Sequence, residues 1–263
     1  MPPAHVGGSD IFDIGIVRPF LCRLLFTTRV EIQGDTMFEI TKPNNSLLAA
    51  LPPQTYQAVL PKLESVKLNA GDRLYGPGDD FTHVYFVESG IVAMLVVIDN
   101  DLTFQCCMVG DEGMIGVPVF LGIKTSGNRA VVQCPGTATR MKNTDFFEEC
   151  STNSDWSAIM REFTYSTIMH IGLSAACNRF HNLEARLALW LLMTHDRLRS
   201  GEFIITQEFM SYMLGVRREA ISKTAASFQQ RQLISYSRGD FTILDRNGLE
   251  KIVCSCYQPI SVH

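Results

Sequence analysis

Between Leu68 and Met141 the apolar residues come in short runs: Arg73–Tyr75, Val84–Val87, Ile91–Ile98, Thr103–Val109, Ala130–Cys134 and Ala138–Met141. The runs are rich in Val, Ile, Phe and Tyr. Turn signals separate them, among them Tyr75-Gly-Pro-Gly, Glu88-Ser-Gly, Asp99-Asn-Asp and Cys134-Pro-Gly. Ten of the nineteen glycines fall between Gly71 and Gly136. Strands at a spacing of roughly 8–12 residues predict an all-β sandwich or barrel. A polar lead-in and a short helix around Ser46–Leu51 precede it. After Ser154 the period lengthens. Trp156, Ile159, Phe163, Ser166, His170, Leu173, Cys177 and Phe180 recur every three or four residues, a heptad stripe interrupted by Ser166 and His170. Such a stripe either pairs with a second copy of the chain, the favoured reading, or packs on the β region. Leu183–Leu198 then reads as the core helix of a further domain.

Residues 204–243 carry the most specific pattern. Thr206 is the expected N-cap of a short amphipathic helix from Gln207 to Leu214, and Gly215 supplies a left-handed turn. A second helix is predicted from about Arg217 to Gln230, burying Ala220, Ile221, Thr224, Ala225 and Phe228. Two short helices joined by a glycine-containing turn form a helix-turn-helix pattern. The second helix presents Arg217, Arg218, Glu219, Ser222 and Lys223 outward at its N-terminal end, the end that reaches base edges in a major groove. Arginine can fork onto guanine and glutamate can accept from cytosine, while Lys and Ser reach bases or phosphates. Leu233–Ser237 and Phe241–Leu244, around Arg238-Gly239-Asp240, predict a strand-turn-strand wing. Thr206, Gln207 and Arg238 are the expected contacts to the nucleic-acid backbone.

Composition sharpens this picture. The chain has 263 residues, 46% apolar and 19% charged, enough to bury about two domain cores. Its net charge of −4 conceals two unlike parts. Residues 1–160 hold 11 Lys/Arg against 18 Asp/Glu, while 161–263 hold 12 against 9. From Arg197 to Arg238 there are 7 basic and 3 acidic residues, a polyanion-binding asymmetry. The eight cysteines are dispersed and several lie in apolar runs, so reduced, buried thiols in a cytoplasmic protein are expected. No window has the roughly 20 apolar residues of a membrane span. Residues 1–36 lack a clean period. Met37 reads as the working start, with 1–36 a start-site artefact or a tail; the alternative is a genuine N-terminal arm.

The order of β region, long helix and winged helix resembles the bacterial Crp/Fnr transcription regulators. The motifs that carry the resemblance are "GDRLYGPGD", "HVYFVESG", "LEARLALWLL" and "ITQEFMSYMLGVRREAISK", with "LIS" ten residues beyond, and it covers about 46–257. It implies base contacts by Arg218, Glu219 and Lys223, with Arg217 and Ser222 beside them. Ala220 stands where a cyclic-AMP-binding member has a hydroxyl, which implies a different operator there.

The resemblance weakens at the effector site. Cyclic-AMP-binding members have Gly-Glu-Leu and then Arg-Ser-Ala in the loop matching Asp111–Val131. Here Gly113 precedes Met114, the second slot reads Asn128-Arg129-Ala130, and a ligand-touching Thr-Ser pair aligns with Ile171-Gly172. A one-residue shift in a strand reverses the face a side chain presents. These departures argue against cyclic AMP bound in that manner. Gly113, Met114, Asn128, Arg129, Ala130 and His170 are the candidate pocket for another effector. An iron–sulfur sensor of the family's kind would need clustered N-terminal cysteines, and only Cys22 is there. Cys106-Cys107 should point to opposite faces of a strand, and Cys254-Ser-Cys256 is too sparse for a zinc site by itself. His83 or His170 could ligate a haem, though His83 reads more simply as a strand residue and His170 as a register-setting residue. No cofactor and no metal site are expected.

The reading is therefore α+β: a Gly-rich antiparallel β-roll or jelly-roll sensor domain (44–150), a dimerisation helix (151–181) and a winged helix-turn-helix domain (182–257). An N-terminal extension (1–43) and a tail (258–263) flank them. The expected function is a homodimeric regulator reading an inverted repeat in double-stranded DNA, with RNA polymerase a partner by family resemblance and no membrane partner. The alternative is a ligand-binding module whose C-terminal domain contacts protein. An enzyme is not expected, because no Ser/His/Asp motif, P-loop, dinucleotide fingerprint or His-Glu-x-x-His occurs.

Overall fold

The computed structural model describes residues 43–98 and 102–257. The expectations for 1–42 and 258–263, with Met37 and Cys22, fall outside them. Helices α1 (Ser46–Ala49) and α2 (Pro53–Val59) lead into strands β1 (Glu64–Leu68), β2 (Arg73–Tyr75), β3 (His83–Ile98), β4 (Leu102–Val109) and β5 (Met114–Ile115). Helix α3 (Val117–Phe120), strand β6 (Arg129–Lys142) and helices α4 (Asn143–Thr152), α5 (Ser154–Phe180) and α6 (Leu183–Leu198) follow. The C-terminal part comprises β7 (Glu202–Ile204), α7 (Gln207–Leu214), α8 (Arg218–Gln230), β8 (Ile234–Ser237), β9 (Asp240–Ile243) and α9 (Arg246–Glu250).

The first six strands form one antiparallel sheet in the order β1-β6-β3-β4, with β2 on β6 and β5 on β3. Two of its strands are longer than their sequence implies. Glu88-Ser-Gly and Cys134-Pro-Gly, expected to end strands, instead face each other as paired irregularities inside β3 and β6. Gly90 adopts φ +82° there, and a side chain on Gly136 would sit 2.1 Å from the Ser89 carbonyl oxygen. Backbones this close admit only glycine, which bends the ribbon without cutting it. Strand β1 lies outside the expected β region, since Glu64 and Lys67 dilute its apolar pattern.

Alternation along β3 is hidden because both faces are covered. Val92, Met94 and Val96 point into a core with Phe86, Met114, Phe146 and Trp156; Ile91, Ala93 and Leu95 point into a second core with Leu187, Leu191, Met213 and Phe228. A continuous apolar run is what a strand buried on both sides requires. The expected opposition of Cys106 and Cys107 fails for a local reason. Met94 pairs with Cys107 and Leu95 with Gln105, so Cys106 is the extra residue of a bulge and both cysteines join the first core. Among the described cysteines all are free thiols, five of them buried. Burial pushes the Cys107 thiol up to about 12.

Helix α5 turns the expected stripe toward its own sheet. Trp156 is fully buried against Phe86 and Phe146, with ring centroids 5.8 Å from each, and Ile159 and Phe163 pack on the same core. The stripe is therefore not a free pairing seam. The aromatic anchor at the start of the helix decides its rotation, and Phe180 alone of the large stripe residues remains strongly exposed. The face left outside includes Tyr165, Ile168, Met169 and Gly172.

Candidate nucleic-acid interface

The C-terminal helices form where their signals lie. The Thr206 hydroxyl accepts from the Phe209 amide at 3.1 Å and caps α7. Gly215 ends α7 at φ +63°, and its amide donates to the Ser211 carbonyl. Arg217, in extended conformation, is the N-cap residue of α8 and not its first turn. Ile221, Ala225 and Phe228 are buried beneath α8, while Ala220 and Thr224, expected to join them, are only half-buried.

Strands β7, β9 and β8 make a small antiparallel sheet beside these helices. The turn between β8 and β9 is two residues, Arg238 at φ +53° and Gly239 at φ +101°. Positive φ at both positions fits the type I′ hairpin, whose twist matches its strands. Arg238 is thus held at the exposed tip of a rigid wing.

Arg217, Arg218, Glu219 and Lys223 are all exposed, on one side of the start of α8. Among the described residues none of Arg217, Arg218, Lys223 and Arg238 takes part in an ion pair. Ser222 differs: its half-buried hydroxyl donates to the Gln207 side chain, which binds the start of α7 to α8. Gln207 in turn gives its amide to the Tyr236 hydroxyl of β8 at 3.2 Å. Surface charge without internal partners on a braced helix can meet phosphates and base edges with little rearrangement.

Helix α6 fastens this unit to the sheet. Trp190 Nε1 donates to Gln105 at 2.7 Å, Gln105 to Gln133 at 3.2 Å, and Gln133 to Thr194 at 3.2 Å. All four side chains are buried. At its far end Arg197 pairs with Glu112 at 2.8 Å and Arg199 with Asp111 at 2.7 Å, on the loop between β4 and β5.

Five of the six candidate effector residues lie away from the cavity that the sixth, His170, lines. A side chain on Gly113 would collide with Phe163 at 2.7 Å, and Met114 is fully buried in β5. Asn128, Arg129 and Ala130 lie at the start of β6, where Arg129 reaches Tyr212 of α7. Only His170 lines the cavity of about 80 Å³ between β4, α5 and α6, with Gln105, Leu173, Trp190 and Met213. Burial first, then Arg197, lowers the His170 pKa below its ordinary value, while Glu112 opposes them. Cys254 and Cys256, set aside on spacing alone, are joined in space by Cys177 and His181 of the distant helix end. The only hint in the chain is the i, i+4 spacing of Cys177 and His181 at the close of a helix.

Residues 185–252 match the model of the Crp-like helix-turn-helix domain. The structure is similar to a Crp/Fnr-family chain from Eubacterium rectale, with TM-score 0.63 and 19% identity over 79% of this chain and 97% of that one. It is equally similar in TM-score, 0.63, to a Crp-family transcriptional regulator from Thermus thermophilus, at 16% identity over 74% of this chain and 100% of the other. A c-di-GMP-responsive global regulator from Xanthomonas campestris gives a TM-score of 0.57 and 12% identity over 72% and 98% of the two chains. No curated protein sequence matches the chain.

Proposed function

From a chain that has the Crp/Fnr fold and carries a Crp-like helix-turn-helix domain, we propose a homodimeric, sequence-specific DNA-binding transcription regulator. The observation that carries this reading is the exposed set Arg217, Arg218, Glu219 and Lys223 at the start of α8, without ion pairs among the described residues, with Arg238 on the wing beside it. Arg218, Glu219 and Lys223 read base edges, and Arg217 flanks them. Ser222 contributes through Gln207 as much as directly. Thr206, Gln207 and Arg238 follow the phosphate backbone.

The pairing face is the outer side of α5. Tyr165, Ile168, Met169 and Gly172 are exposed at spacings of three and four, and Gly172 has open space around it, so a second helix can approach closely. A twofold dimer sets two recognition helices about 34 Å apart, one for each half of an inverted repeat. The domain limits 44–150, 151–181 and 182–257 belong to the same proposal. Cyclic AMP bound as in the cyclic-AMP-binding members does not fit, because Met114 lies in the core and Arg129 is engaged by Tyr212.

Selection of random duplexes on the purified protein tests this. Enrichment of an inverted repeat, bound by two chains with steep salt dependence, is the expected result. Retention of no duplex at low salt overturns it and favours a C-terminal domain that contacts protein.

A further inference from the structure

We propose that Cys177, His181, Cys254 and Cys256 form a tetrahedral site for one thiophilic divalent cation, zinc above all, that joins the end of α5 to the segment after α9. One ligand atom from each of the four residues lies within 4.8 Å of every other. Two edges of that figure are Cys177 Sγ to Cys254 Sγ, 3.6 Å, and Cys256 Sγ to His181 Nδ1, 3.5 Å. Zinc bonds of about 2.3 Å to sulfur and 2.0 Å to nitrogen put the corners of a tetrahedron with three sulfurs and one nitrogen about 3.5–3.8 Å apart. Three sulfurs and one imidazole suit zinc and disfavour the hard, oxygen-seeking cations. The compactness suits a single ion, since a multi-iron cluster must hold its ligands farther apart.

The backbone presents each pair. His181 caps α5, and its amide donates to the Cys177 carbonyl at 3.0 Å, which sets the two side chains one helical turn apart on the same side. Tyr257 donates its amide to the Cys254 carbonyl at 3.0 Å, and the resulting turn carries Cys254 and Cys256. This turn is anchored from outside the site. The Tyr257 hydroxyl donates to Asp196 at 2.8 Å and accepts from Arg246, which also pairs with Asp196 at 2.7 Å. Such support around a ligand set is what orients a metal site.

Cysteine ligates a divalent cation as the thiolate. Binding therefore exchanges protons for the metal: three thiols give up one proton each, the imidazole stays neutral, and no electron is transferred. The two ligand pairs bracket the whole winged-helix region, from just before α6 to just after α9. One ion thus closes that region into a loop and pins it to α5. This site does not depend on the DNA-binding reading.

The test uses the full chain, purified reduced, made metal-free and titrated with Co²⁺ and then Zn²⁺. One Co²⁺ per chain is expected, with the visible bands of a tetrahedral ion and near-ultraviolet thiolate charge transfer, both abolished by one equivalent of Zn²⁺. C254S should lower affinity at least tenfold, whereas C150S, a thiol buried elsewhere, should not. Zinc should also shield three thiols of the unmutated chain from alkylation, a readout that needs no variant to fold. A reduced protein that binds no Co²⁺ tetrahedrally, shows no zinc shielding, or binds unchanged as C254S overturns the proposal.

Discussion

Arg129 donates from Nη1 to the Tyr212 hydroxyl at 2.7 Å, so the first residue of β6 holds α7, the helix that precedes α8. Arg129 Nε is buried and has no partner among the described residues, and the Thr103 hydroxyl reaches the Tyr212 carbonyl at 3.5 Å from β4. The sheet therefore touches the helix-turn-helix unit directly and not only through α6. Tyr212→Phe removes one hydroxyl and leaves the guanidinium with less compensation. A loss of about 1–2 kcal/mol is expected in urea unfolding, as for a half-exposed hydrogen bond to a charged group.

The proposed interface assigns base contacts to the helix and backbone contacts to the wing. Arg218→Gln should weaken binding to the selected operator by about tenfold or more, the effect of losing a bidentate base contact of about 1–3 kcal/mol, while binding to random duplex changes little. Arg238→Gln should weaken both about equally and reduce the salt slope by about one. Titrations at several salt concentrations check this; two variants with the same profile would contradict the assignment.

The Trp190–Gln105–Gln133–Thr194 chain is buried throughout, so breaking it in the middle is costly. Gln105→Leu leaves the indole N–H and the Gln133 oxygen unsatisfied, and about 2–4 kcal/mol of stability should be lost. Adding Trp190→Phe should recover part of that loss, since one orphaned donor is gone. A double-mutant cycle by chemical denaturation reads the coupling.

His170 makes stability depend on pH. Its folded pKa lies below the unfolded value near 6.5, chiefly through burial, with Arg197 lowering it further and Glu112 opposing. The unfolded chain therefore binds the proton first as pH falls. Stability is unpenalised above about pH 6.5 and declines from there down to the lowered folded pKa. His170→Gln should flatten the urea midpoint across that window.

Asn45 is buried, and its side chain caps α1 while donating to the Val87 and Gly113 carbonyls at 2.9 and 2.8 Å. Asn45→Ala loses a cap and two long-range bonds together. About 2–4 kcal/mol of destabilisation is expected by thermal or urea unfolding.

Local chemistry was written plainly in the chain. Thr206, Gly215 and Arg238-Gly239-Asp240 signal a cap, a left-handed turn and a hairpin, because each depends on dihedral preferences and bonds within a few residues, although Asp240 already belongs to β9 and leaves a two-residue turn. The α6 and α7 boundaries follow from the same signals, and so does the charged start of α8. What needed the folded molecule was orientation and long-range meeting. The α5 stripe could serve a twin or its own sheet, and the Phe86–Phe146–Trp156 cluster turns it inward. Glu88-Ser-Gly and Cys134-Pro-Gly read as ends, yet they are bends because each lies across from the other. Cys254 and Cys256 look solitary until Cys177 and His181 arrive from the far side of a folded unit. A period or a cap is a property of neighbouring residues, whereas a face or a ligand set depends on which distant surfaces lower the free energy by burying together.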